Sequence, residues 1–169
     1  MANEVPQRKF KTLFLCTANA ERSIFAEYLL RKEGGDRFEV CSGGTAPSGT
    51  VHPLAIEILK NDYHVDASDA RSKSWQEFQG VEFDFVITLC DAAREATPDW
   101  PGQPIIAHWS SRNPAEVTGD EAEVRHAFFE VAEEIHHRIQ LFVALPFEKL
   151  DLLRLKAATH EIGAGPSPG

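Results

Sequence analysis

Residues 12–23 read Thr12-Leu13-Phe14-Leu15-Cys16-Thr17-Ala18-Asn19-Ala20-Glu21-Arg22-Ser23, and this stretch passes from an apolar run of strand length into a segment of helical spacing. Cys16 and Arg22 are six positions apart across the turn. Such a turn can curl so that its backbone N–H groups point inward at a tetrahedral oxyanion, with the arginine adding a bidentate fork. The stretch therefore predicts an oxyanion-binding loop with a thiol at its base.

The residue types of this loop suggest how the thiol would be activated. Helix amides, Arg22 and the Ser23 hydroxyl are groups that lower the pKa of a thiol, so a low-pKa thiolate is predicted at Cys16. Asn19 tolerates left-handed backbone angles and can shape the turn. Glu21 would oppose an anion if its carboxylate pointed inward, so we expect it to point to solvent. The predicted oxyanion cradle contains six residues, Thr17, Ala18, Asn19, Ala20, Glu21 and Arg22.

Further apolar runs of strand length follow this first one. Bounded by turn formers, and mostly continuous rather than alternating, they are typical of parallel strands covered on both faces. The four predicted strands are Thr12–Leu15, Phe38–Cys41, Phe83–Leu89 and Ile105–Trp109. With helices between them, this order predicts an α/β sandwich, in which ligands bind beyond the carboxyl ends of the strands.

Four helices are predicted from apolar spacing and from capping residues. They run from Ser23 to the glycines at 34 and 35, from Pro53, from a cap at Asp120, and from Glu148 to about Thr159. The helix after Asp120 is the longest, and five of its residues fall on its polar side: Glu130, Glu133, Glu134, His137 and Arg138. We predict a single domain over residues 1–169, with a core from about 11 to 160 and flexible ends at 1–9 and 163–169.

Composition limits the classes of partner. A net charge of −9 argues against general affinity for nucleic acid or for anionic membrane surfaces. The sequence has no apolar run of membrane-spanning length and no recognisable secretory signal, which predicts a cytoplasmic protein. The three cysteines, Cys16, Cys41 and Cys90, are far apart and predicted to be reduced thiols. The histidines have no spaced partners that indicate a metal site, so neither a metal nor a bound cofactor is predicted.

The sequence resembles the low-molecular-weight protein tyrosine phosphatases and, more closely, the arsenate reductases that share their fold. The resemblance extends from about Thr12 to Leu150. Its pieces are Phe14–Asn19 with Arg22-Ser23, then Val51–Ala55, Arg71–Trp75, Phe83–Asp91, Trp100–Pro104 and His108-Trp109. It implies a three-layer α/β sandwich with a four-stranded parallel sheet.

The resemblance also implies roles for individual residues. Cys16 would be the nucleophile and Ser23 the partner of its thiolate, while Cys90 matches a second thiol that releases arsenite by forming a disulfide with the first. On packing grounds alone, however, a small apolar residue such as Cys90 at a strand end needs no function. Thr97 occupies the position of a third cysteine in the thioredoxin-coupled reductases. An external thiol such as glutathione, mycothiol or a glutaredoxin would then complete the cycle, or the reductase activity is lost.

A second departure from the family pattern lies at Asn113, where an aspartate before proline usually acts as general acid. An amide cannot donate a proton in this role, which would reduce phosphatase turnover by about 10²- to 10⁴-fold unless Asp91, Asp99 or Glu116 substitutes. Three hypotheses remain open: an arsenate reductase, a phosphatase acting on phosphotyrosine or a small phosphate ester, and an oxyanion-binding relative with impaired catalysis. The expected partners are arsenate or phosphate and a glutaredoxin, mycoredoxin or thioredoxin.

Overall fold

A parallel β-sheet forms the centre of the molecule in the computed structural model, which describes residues 9–164. Its strands are β1 (Phe10–Cys16), β2 (Phe38–Gly44), β3 (Phe85–Thr88) and β4 (Ile105–His108). They lie in the order β2-β1-β3-β4, and every pairing is parallel. The predicted four-stranded parallel sheet is therefore confirmed.

Within the described residues, five α-helices accompany the sheet: α1 (Arg22–Gly34), α2 (Pro53–Tyr63), α3 (Asp91–Ala96), α4 (Glu121–Val143) and α5 (Leu152–Ala164). Short 3₁₀ turns lie at Gly35–Arg37, Trp75–Phe78 and Pro114–Glu116. None of the helices within residues 9–164 combines the length and apolar character that crossing a membrane requires.

The side chains of β1 point alternately into two apolar layers, one on each face of the sheet. Phe14 and Cys16 belong to a large apolar cluster that includes the buried faces of α1, α2, α4 and α5. Leu13 and Leu15 point to the opposite face, where a smaller cluster includes Ala93 of α3. Because successive side chains of a strand point to opposite faces, β1 is buried on both sides, as its continuous apolar sequence predicted.

Several predicted boundaries change in the structure. β2 continues past Cys41 to Gly44, because residues that resemble turn formers pair with the end of β1. The short helix α3 was not predicted. The last helix begins at Leu152 rather than at Glu148, and it includes Gly163 and Ala164, which were predicted to be flexible. The rest of the predicted flexible segments, residues 1–8 and 165–169, lies outside the described residues.

The polar side predicted for the longest helix was partly wrong. Asp120 caps α4 as expected, since its side chain accepts a hydrogen bond from the Glu123 backbone N–H. Glu134 and Arg138, however, are 4% and 5% exposed, and they form an ion pair of 3.4 Å between Oε1 and Nη1. Arg138 also donates a hydrogen bond of 2.7 Å to the Ser110 carbonyl, so it supports the chain that follows β4.

Candidate active site

The loop between β1 and α1 is held by hydrogen bonds from a neighbouring segment to its carbonyl groups. Backbone N–H groups of the segment 45–52 donate hydrogen bonds to the carbonyls of Cys16, Thr17, Ala18 and Ala20, over distances of 2.9–3.1 Å. Because these carbonyls face outward, the loop amides are left to face the thiol. Hydrogen bonds from the backbone N–H groups of Asn19 and Ser23 reach Cys16. Of the six residues of the predicted cradle, Asn19 thus directs its backbone N–H toward the sulfur.

Two backbone features allow the loop to adopt this shape. Asn19 has a φ of 50°, in the left-handed region that its side chain was expected to tolerate. Ala18 does not have a positive φ, so the alanine at this position is not strained. On the neighbouring strand, a Cβ added to Gly44 would lie 2.4 Å from the Thr17 carbonyl oxygen. Only a glycine at position 44 lets β2 approach the loop this closely.

Cys16 lies at the base of the loop and is fully buried. Its Sγ is 2.8 Å from the Ser23 Oγ. Ser23 in turn accepts a 2.7 Å hydrogen bond from the Asn19 side-chain amide, so its hydroxyl hydrogen is free to point at the sulfur. The loop therefore aims several donors at one sulfur atom.

Burial and the loop donors act on the pKa of Cys16 in opposite directions. Its complete burial raises the pKa of the Cys16 thiol, and this effect outweighs the Ser23 hydroxyl, the Arg22 charge and the amides of Ser23 and Asn19, which lower that pKa. This direction is opposite to the low pKa predicted for Cys16. The donors around Cys16 are visible in the sequence, whereas the loss of water around the sulfur depends on the packing of the whole chain.

Arg22 is held by the chain segment that follows β4. Arg22 is 5% exposed, and its Nη1 donates a 3.1 Å hydrogen bond to the Ser111 carbonyl. The Nε of Arg22 is buried without a hydrogen-bond partner. A buried N–H with no acceptor is costly, so this donor is suited to an oxyanion that enters the loop.

Glu21 does not point to solvent as expected, because it is only 3% exposed. The beginning of α1 is enclosed on all sides, and every residue from Arg22 to Leu30 is buried. Burial raises the pKa of the Glu21 carboxyl, while the neighbouring Arg22 charge lowers it. A raised pKa favours the neutral acid, which opposes an anion less than a carboxylate does.

Cys90 lies beside the first residue of the loop. Its Sγ is 3.3 Å from the Thr17 Oγ1, and the residue is partly exposed at the start of α3. Thr97, at the opposite end of α3, accepts a 2.9 Å hydrogen bond from the Trp100 indole. Cys41 lies on β2 in the part of the strand paired with Leu13, three residues before the Cys16 pairing. Of the two other cysteines, the structure thus brings Cys90 to the loop.

A chain of side chains ties the strand ends to α3 next to Cys90. The Thr88 Oγ1 lies 2.7 Å from the His108 Nδ1, and the His108 Nε2 lies 3.0 Å from the Asp91 Oδ1. Asp91 follows Cys90 directly, so His108 helps to hold the first turn of α3. His108 belongs to a stretch that resembles the family, but sequence analysis assigned it no role.

A buried polar network behind the loop was missed by sequence analysis. The Lys73 backbone N–H donates a 2.9 Å hydrogen bond to the Asn19 Oδ1. Its Nζ lies 3.3 Å from the same oxygen, 3.2 Å from the Ser42 Oγ and 3.6 Å from the Glu27 Oε1. Ser42 also donates to Glu27 and accepts from the Asn19 amide. This network fixes the Asn19 side chain that holds Ser23. Two signals were available: Glu27, an acid among the apolar residues of α1, and Lys73, which lies in the family-like stretch Arg71–Trp75.

Asn113 occupies a capping position. Its Oδ1 accepts a 3.0 Å hydrogen bond from the Ala115 backbone N–H and so begins the 3₁₀ turn Pro114–Glu116. The side chain therefore has a structural partner in the place where the family pattern has an acid.

The fold and the loop together define a class of protein. A buried thiol, inward-facing amides and an arginine at the carboxyl end of a parallel strand are typical of α/β proteins that bind oxyanions through a cysteine loop. Residues 11–151 match the low molecular weight phosphotyrosine protein phosphatase family, and the chain belongs to that family.

Within the family, the most similar proteins include arsenate reductases. The arsenate reductase of Halalkalibacterium halodurans is 34% identical over 129 residues, which cover 76% of this chain and 91% of that protein. The glutaredoxin arsenate reductase of Synechocystis is 30% identical over 134 residues, which cover 79% and 96%.

Solved structures give the same result. An arsenate reductase in the phosphate binding state superposes with a TM-score of 0.68 at 27% identity, covering 80% of this chain and 97% of that one. A thioredoxin-dependent arsenate reductase of Corynebacterium glutamicum superposes with a TM-score of 0.56 at 30% identity, covering 81% and 65%. The relatives of this chain thus include both glutaredoxin- and thioredoxin-dependent enzymes.

Proposed function

We propose that this chain is an arsenate reductase in which Cys16 attacks arsenate and an external thiol completes the cycle. The observation that carries the proposal is the position of Cys90, whose sulfur lies 3.3 Å from the Thr17 hydroxyl at the rim of the Cys16 loop. A phosphatase needs one nucleophile, whereas reduction of arsenic needs sulfur atoms that give up electrons. The similarity to proteins named arsenate reductases supports the same function.

In the first step the Cys16 sulfur bonds to arsenic, and one arsenate hydroxyl leaves as water together with the thiol proton. An oxygen of the bound anion is a suitable acceptor for the thiol proton in this step. The inward amides, Arg22 and its unpaired Nε stabilise the negative charge on the remaining oxygens.

In the second step the Cys90 thiolate attacks the Cys16 sulfur. The arsenic–sulfur bond breaks and its electron pair stays on arsenic, which leaves as arsenite, while Cys16 and Cys90 form a disulfide. Cys16 is fully buried and Cys90 is partly exposed, so an incoming thiolate reaches Cys90. It forms a mixed disulfide there and releases Cys16. A second thiol then frees Cys90, so two external thiols are oxidised for each arsenate reduced.

Purified protein supplied with arsenate and glutathione plus glutaredoxin is expected to release arsenite. Parallel reactions with mycothiol plus mycoredoxin and with thioredoxin identify the donor class, and arsenite is quantified by chromatography with elemental detection. A glutathione or mycothiol adduct on Cys90, found by mass spectrometry after limiting thiol, supports the proposed order of steps. Absence of arsenite with every donor, together with retained phosphate binding, would instead indicate a relative that binds oxyanions without reducing them.

Phosphatase activity is the second candidate, and the capping role of Asn113 argues against it. We expect slow hydrolysis of an aryl phosphate by the wild-type chain. The change Asn113→Asp, which keeps the cap acceptor and restores an ionisable group, is expected to raise kcat by about 10-fold or more. The control Asn61→Asp alters an exposed asparagine of α2 and should leave kcat unchanged. Fast hydrolysis by the wild-type chain would favour the phosphatase instead.

A further inference from the structure

Helix α5 begins immediately after the part of the chain that matches the family. The family match ends at residue 151, and α5 runs from Leu152 to Ala164. Its buried residues are Leu155, Thr159 and Ile162, and Leu155 and Ile162 belong to the large apolar cluster. The helix is therefore docked on the body of the protein.

The docking surface of α5 is the carboxyl end of β4. The Trp109 indole, which is fully buried, donates a 3.1 Å hydrogen bond to the Thr159 carbonyl. A Cβ added to Gly163 would lie 2.1 Å from the His108 carbonyl oxygen and 2.7 Å from the Trp109 ring. The last turn of α5 thus rests directly on the backbone of residues 108 and 109, at a distance that only glycine permits.

The same strand end leads to the residue that holds Arg22. Ser111 lies two residues after Trp109, and its backbone N–H donates a 2.9 Å hydrogen bond to the Leu89 carbonyl, just after β3. Its own carbonyl accepts the 3.1 Å hydrogen bond from the Arg22 Nη1. The position of the Arg22 guanidinium consequently depends on where the backbone after β4 lies. α5 packs against that backbone, and Arg138 of α4 donates a hydrogen bond to it at the Ser110 carbonyl.

We propose that α5 is a positioning element of the oxyanion site: by docking on His108 and Trp109 it fixes the Ser111 carbonyl and thereby aims Arg22 into the loop. The helix does not contact the anion and acts through Arg22. The inference rests on the proposed function of that arginine in oxyanion binding. α5 thus affects the affinity for arsenate and phosphate in addition to contributing to stability.

The change Gly163→Ala in the full chain tests this directly. Alanine favours a helix more than glycine does, so any loss of docking must come from the contact with His108 rather than from a weaker helix. Residues that do not touch a ligand commonly change its binding by about 2- to 30-fold, and we expect the phosphate dissociation constant to rise within that range. The control Ala157→Ser lies on the exposed side of α5 and should change nothing.

Three measurements on each variant separate the outcomes: phosphate affinity by calorimetry, hydrogen exchange of the α5 amides and the midpoint of urea unfolding. A second variant, Ile162→Asp, places a charge on the buried side of α5 and undocks it by another route. Weaker phosphate binding together with faster α5 exchange in both variants is the expected result. Faster exchange with unchanged phosphate affinity would overturn the proposal, because α5 would then be a stabilising element alone. Unchanged exchange in both variants would also overturn it, whereas a wild-type chain that binds no phosphate would refute the proposed function itself.

Discussion

Replacement of Cys16 by serine is expected to abolish arsenate reduction, lowering kcat by a factor of about 10⁴ or more. The two electrons that reduce arsenic come from sulfur when the disulfide forms, and a serine oxygen cannot supply them. A serine hydroxyl can still form a hydrogen bond with Ser23, and the loop amides and Arg22 are unchanged. We therefore expect phosphate affinity to stay within a few-fold of wild type, measured by calorimetry beside the arsenite assay.

Cys41→Ser is the matched control for this change. Cys41 is a partly exposed thiol on β2 that belongs to neither the loop nor its network, so its loss should leave turnover nearly intact. Arsenite release that survived in Cys16→Ser would contradict the nucleophile assignment. Equal loss in both variants would point to a general effect of removing a thiol rather than to the loop.

Replacement of Cys90 by serine is expected to lower the multiple-turnover release of arsenite by about 10²-fold or more. Serine at position 90 can keep the contact with the Thr17 hydroxyl, so the loop should be undisturbed, but it cannot take the Cys16 sulfur into a disulfide. Wild-type protein treated with arsenate without a thiol should lose the mass of two hydrogens. The Cys90→Ser protein should not.

The comparison also tests whether Cys90 is a redox residue or a packing residue, the two readings that the sequence left open. If Cys90→Ser reduced arsenate at the wild-type rate with glutathione, the external thiol would attack the Cys16 adduct directly and Cys90 would be a packing residue. Equal phosphate affinity in the two proteins is the necessary control, since it shows that the substitution has not altered the loop.

Periodicity and turn chemistry were sufficient to predict most of the fold. The continuous apolar run of β1 predicted a strand buried on both faces, and Asp120 predicted the start of α4. The prediction failed where tertiary contacts overrode local preference. Residues 42–44 contain two glycines and read as a turn, yet they extend β2 because Gly44 alone can approach the Thr17 carbonyl. The start of α5 was placed four residues early because the cap residue Asp151, whose Oδ1 accepts a 2.8 Å hydrogen bond from the Arg154 backbone N–H, was overlooked.

The loop with its thiol and arginine could be predicted from the sequence, because these residues are close together in the chain, and the family could be predicted from motifs spread along it. The environment of those groups depended on tertiary packing. Burial raises the pKa of Cys16, which is opposite to the expected direction, and Glu21 is buried rather than exposed. Neither could be predicted locally, because solvation depends on everything that surrounds a side chain. Lys73 reaches Asn19 across 54 positions, and Ser111 reaches Arg22 across 89. Local patterns extend over a few residues, whereas hydrogen-bond partners near 3 Å are set by how distant segments pack.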